Sequence, residues 1–182
     1  MVNPTPRIRP DLPTLAGLFY TYPEDIGDFH EVTAAELPAP YDRLLAHDGH
    51  MTESVEAFHG CSVDVEVVAT HVTATHYARK SLLRRQTDRR VVQFGIARLT
   101  FEFLSDDVRR EIESEGIPLG RVLINHNVMR HVQLFALWRL EAGADLRSLF
   151  GLEKPTEVYG RTALIYTNGE PAVELLEILA PV

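Results

Sequence analysis

Residues 161–179, RTALIYTNGEPAVELLEIL, constrain this chain more than any other stretch. Two β-forming runs surround Asn168-Gly169, the strongest short-range signal for a hairpin, so the last two strands are antiparallel neighbours. If Val173 to Leu179 is a strand, Val173, Leu175, Glu177 and Leu179 share one face. A carboxylate then stands in an apolar stripe. An edge charge that discourages aggregation and one half of a buried ion pair are the plain readings; a ligand contact is the sharper one. Glu174 lies near the turn with Ala172 and Leu176 on its face and reaches water more easily, so parity favours Glu177 as the inward acid.

Three more β-rich runs lie upstream. CSVDVEVVA alternates Val63, Val65 and Val67 against Asp64 and Glu66, and THVTATHYARKSLL and VVQFGIARLTFEF are rich in β-branched and aromatic residues. The polar RRQTDRR between the last two is a solvent-facing hairpin tip. YDRLLAHDG and MTESVEAFHG read as short helices stopped at Gly49 and Gly60. SDDVRREIESEG reads as a helix capped by Ser105 and ended by Gly116. VMRHVQLFALWRLEAG, with Val128, Val132, Phe135 and Leu140 near one face, reads as a longer core helix. The expected architecture is α+β, a single antiparallel sheet flanked by helices, in one domain spanning 1–182.

Residues 1–40 form a proline-rich arm, with one short helix expected near Pro13 to Phe19. The opening residues have no long apolar core, so neither a signal peptide nor a membrane span is expected there. A net charge of -8 argues against a general nucleic-acid binder. Cys61, the single cysteine, permits no internal disulfide and points to a reducing, cytoplasmic setting.

Several chemistries lack support. The eight histidines show no ligand spacing of the His-Glu-x-x-His kind, so no metal is expected. Gly-x-Ser-x-Gly, Gly-x-x-x-x-Gly-Lys and Gly-x-Gly-x-x-Gly are all absent, so neither a nucleophile elbow nor a nucleotide cofactor is indicated. Cys61 reads as a small buried residue.

Arginines are the other anomaly. Arg98 shares parity with Val92, Phe94 and Ile96, and Arg79 with Thr75, Tyr77, Ser81 and Leu83, so two guanidinium groups and Glu177 are expected to converge on one interior. A buried Arg–Glu pair would account for two of them. The cation left over needs an anion, and a small carboxylate matches the guanidinium fork.

At family level, LLAHDGHMTESVEAF, RKSLL, IPLGRVL and GRTALIYTNGEPAVELLEILAP, in this order from Leu44 to Pro181, resemble segments of the chorismate pyruvate-lyases. The resemblance implies an internal ligand site under helical flaps and cofactor-free, metal-free conversion of chorismate to 4-hydroxybenzoate and pyruvate. It further implies that Arg79 holds the ring carboxylate, that Met51 and Leu119 contribute backbone N–H groups, and that Glu177 accepts the ring hydroxyl. Arg98, by parity and by its matching arginine, is the candidate for the second carboxylate. Positioning would supply most of the catalysis, because the ring aromatises once the enolpyruvyl ether departs. Two alternatives remain: a ligand-sensing effector-binding domain of related fold, and a lyase or isomerase acting on another chorismate-like carboxylate. The proline-broken arm leaves no room for a winged helix-turn-helix.

Overall fold

The structure is a computed structural model and describes residues 9–128 and 130–182, the Arg130 side chain excepted. Its frame is one sheet of seven strands: β1 (Gly27–Val32), β2 (Val63–Val72), β3 (His76–Arg85), β4 (Val91–Thr100), β5 (Arg130–Ala142), β6 (Glu157–Thr167) and β7 (Glu170–Leu179). They lie in the order β1-β5-β6-β7-β4-β3-β2, each pair antiparallel. Among the described residues six α-helices accompany them: α1 (Leu12–Gly17), α2 (Tyr41–Leu45), α3 (Met51–His59), α4 (Asp106–Glu113), α5 (Leu119–Asn125) and α6 (Ala144–Phe150). The fold is therefore α+β, an antiparallel sheet flanked by helices. The hairpin turn is where the Asn-Gly pair placed it, with Asn168 and Gly169 both at positive φ, 53° and 86°, as a primed turn requires.

Both faces of the central strands are covered. On one, Leu82, Phe94, Ile96, Leu176 and Ile178 pack with Leu15 of α1 and Leu146 of α6. The other face carries two separate clusters. Leu99 and Val173 pack with Ile112 of α4 and Leu123 of α5, and Leu83 and Leu179 pack with Leu45 of α2 and Val55 of α3. Each of these side chains, once buried, contributes about 1.5–3 kcal/mol. The gap between the two clusters positions the site.

Four local expectations are corrected. Residues 130–142 form strand β5, not a helix: an extra residue, Phe135, bulges between Leu134 and Ala136. That bulge breaks the alternation and leaves apolar residues at spacings that imitate a helix. The arm contributes an edge strand, β1, paired to β5, and its Leu15, Ala16 and Ile26 belong to the core; residues 1–8 lie outside the described residues. The run from Thr70 to Leu83 is split at Thr73, whose hydroxyl accepts from the His76 N–H at 3.0 Å, so His71 and His76 sit on different strands. Finally, Phe101–Phe103 is a 3-10 turn and α2 stops at Leu45, well before Gly49.

Candidate functional site

Between the two clusters a cleft opens above β3, β4 and β7, roofed by the first turns of α3 and α5. The register stacks its floor: Arg79 lies beside Ala97, Ser81 beside Gly95, and Gly95 in turn beside Glu177. Ser81, Gly95 and Ala97 are small, which leaves room above the sheet. The space not filled by protein atoms is about 600 Å3, open solvent at its mouth included. The centre of a water molecule can roam over only about 50 Å3 of it, so the cleft is a narrow slot.

Arg79 stands at one end, 2% exposed. Its Nη1 is buried with no hydrogen-bond partner among the described residues. Burial pushes its pKa down from the usual guanidinium range, while Tyr77 and Glu115 pull it back up. A guanidinium so placed is a desolvated cation with an unused donor, a costly arrangement that an anion would relieve.

The roof adds donors. Met51 and Leu119 each open their helix, are buried and line the cleft. Neither helix has a side-chain hydrogen bond at its N-cap, so first-turn N–H groups are left for another acceptor. Gly120 makes the approach of the two helices feasible: a Cβ there would lie 3.2 Å from Thr52 Oγ1.

Glu177 also lines the cleft, 8% exposed, but it is engaged. Its Oε2 accepts from Nε of Arg161 at 2.8 Å. Arg161 is fully buried, and it donates further from Nη1 to the His47 carbonyl at 2.8 Å and from Nη2 to the Gly49 carbonyl at 2.9 Å. It thereby ties the loop before α3 to the middle of the sheet. Sequence reasoning missed Arg161, although an arginine within the apolar run VYGRTALIY was a visible signal.

Arg98 is not part of this group. It lies on the opposite face, where its Nε donates to Glu174 Oε2 at 2.6 Å. The groups that converge are Arg79, Arg161 and Glu177, not Arg79, Arg98 and Glu177 as expected. Arg98 shares its face with Phe94 and Ile96 as expected, but that apolar stripe is the one under α1 and α6. Glu174, the acid set aside by parity, is its partner. Among the described residues, no group of three His, Cys, Asp or Glu side chains could hold a metal, and no helix is long and apolar enough to cross a membrane.

His47 gives this roof a pH dependence. Burial, and then the Arg161 charge, hold its pKa below the usual 6.5, against weaker opposing pulls from the Leu44 carbonyl, Glu177 and Asp48. Its Nδ1 accepts the Gly49 N–H at 2.9 Å, a bond available only to the unprotonated nitrogen. The unfolded chain therefore takes up the proton first, and stability falls as pH drops from about 6.5 toward the folded value. His59, also shifted down, contributes the same slope. Urea melts between pH 7.5 and 5 are expected to show wild type losing stability faster than His47→Gln; parallel curves would contradict this.

No family model matches the sequence, and no curated protein does. Among solved structures the chain is similar to the effector domain of PhnF from Mycobacterium smegmatis, at 14% identity and a TM-score of 0.54 over 72% of this chain and 88% of that one. It is also similar to PhnF as a larger chain, at 15% identity and a TM-score of 0.54 over 74% of this chain and 64% of that one. A third similar structure is YydK from Bacillus subtilis, described as a possible transcriptional regulator, at 12% identity and a TM-score of 0.51 over 64% of this chain and 58% of that one. The chain spans less than two thirds of PhnF and YydK but most of the isolated effector domain. At these identities the likeness is one of fold.

Proposed function

We propose that this chain is a small-molecule-binding domain of the effector-binding type, whose cleft takes a small cyclic monocarboxylate on Arg79. The observation that carries this is the buried Arg79 Nη1, which has no partner among the described residues. Charge counting sets the ligand class. Among the described residues the charged side chains lining the cleft are Arg79, Arg161 and Glu177; the last two neutralise each other, and although Glu115 acts on Arg79 from outside the lining, Arg79 is the charge that the cleft offers to one carboxylate. The fold likeness to the PhnF effector domain supports a binding role.

A second reading, chorismate pyruvate-lyase, has an observation of its own. Arg79, Met51, Leu119 and Glu177, which the resemblance named on four different elements, all line this one cleft. Against it, Arg98 is on the far face, and no second unpaired cation lines the cleft among the described residues for a dianion such as chorismate. One incubation separates the two. With chorismate at millimolar concentration, a binding domain returns it intact, whereas a lyase releases pyruvate and 4-hydroxybenzoate in equal amounts, read by chromatography. Turnover that is lost in Arg79→Met would establish the lyase reading and remove the first.

A further inference from the structure

Gln93 of β4 lies in the same cleft, at the end away from Arg79. It is 6% exposed, and its register neighbours on either side, Leu83 and Leu179, are buried leucines. Its side-chain carbonyl, Oε1, is buried without a hydrogen-bond partner among the described residues. An amide oxygen left unpaired among apolar groups is destabilising, so the position invites a donor from outside the protein. Glu177, the acceptor that the resemblance suggested for a ligand hydroxyl, already holds Arg161. That bond uses one carboxylate oxygen, Oε2, whereas Gln93 Oε1 is the cleft acceptor that is buried with no partner among the described residues.

Arg79 is level with Ala97, four residues along β4 from Gln93, a distance of roughly 13 Å at strand rise. Both side chains line the same cleft, so a ligand that reaches both lies along β4. A ring with its polar groups at opposite ends is such a ligand. Ser81 and Gly95, the small residues between the two ends, leave the middle free for the ring.

We propose that Gln93 is a specificity-determining residue: its amide forms the second pole of the cleft and accepts a hydrogen bond from a hydroxyl placed on the ligand opposite the carboxylate. This rests on the carboxylate-binding reading above. The probes are benzoate and 4-hydroxybenzoate, titrated by calorimetry into wild type, Gln93→Leu and Gln93→Met. Two variants are used so that a packing fault in one does not decide the result, and thermal melts check that both fold. Wild type is expected to bind 4-hydroxybenzoate roughly tenfold more tightly than benzoate, the usual worth of one buried hydrogen bond. In both variants that ratio should fall to about one, with benzoate itself changed less than about threefold. Equal binding of the two acids by wild type would overturn the role of Gln93 and leave the carboxylate reading standing, as would a hydroxyl preference that survives in both variants. Failure of wild type to bind either acid would overturn both.

Discussion

Arg161→Met is expected to lose about 3–5 kcal/mol of folding stability, the cost of breaking a buried ion pair from one side. The change leaves the Glu177 carboxylate buried without its cation and frees the carbonyls of His47 and Gly49, which Arg161 holds at 2.8 and 2.9 Å. Methionine keeps most of the apolar stem, so the loss measures charge and hydrogen bonds more than volume. Glu177→Gln should cost less, about 1.5–3 kcal/mol, because an amide oxygen can still accept from Nε. Arg98→Met is the comparison: its side chain is 26% exposed and so partly solvated, but it leaves Glu174, 7% exposed, without its cation, so an intermediate loss of about 1–3 kcal/mol is expected. Urea unfolding of the three variants checks the order. An Arg161 variant no less stable than the Arg98 variant would mean that the loop before α3 is not held by this contact.

Arg79→Met should behave in the opposite way. Nothing pairs with its Nη1 among the described residues, so replacing a desolvated cation with an apolar side chain should leave stability unchanged or raise it. Binding of 4-hydroxybenzoate should fall by about ten- to a hundredfold, the worth of a charge-assisted hydrogen bond of about 1.5–3 kcal/mol. Two buried arginines on one sheet face are thus separable, one by its effect on folding and the other by its effect on binding. A strongly destabilised Arg79 variant would assign Arg79 to the scaffold.

Parity within a strand was legible, and parity between strands was not. Arg79 and Glu177 do share the cleft face, and each could be assigned to an inward side from its own neighbours. Arg98 could not, because both faces of β4 are covered and an apolar stripe does not say which cover it faces. The Arg161–Glu177 pair was hidden for a different reason. Counting back from the Asn-Gly turn without interruption pairs Arg161 with Leu176 and sends Arg161 and Glu177 to opposite faces. The register shifts by one residue after Pro171, Ile165 pairing with Val173 and Tyr166 with Pro171, and this brings Arg161 beside Glu177. Pro171 cannot donate to a ladder, but the size of the shift is a property of the folded hairpin. The bulge at Phe135 concealed β5 in the same way. The roof was legible only as two helix starts. That both uncapped ends meet over the cleft depends on packing across Gly120.

In the proposed reading Arg79 is a buried cation that takes a ligand carboxylate. Benzoate and its neutral isostere benzamide, titrated by calorimetry into wild type and Arg79→Met, test it most directly. Wild type should bind benzoate one to one and at least about tenfold more tightly than benzamide, a preference that disappears in the variant. Equal binding of the two by wild type, or a preference for benzoate that persists in Arg79→Met, would contradict it.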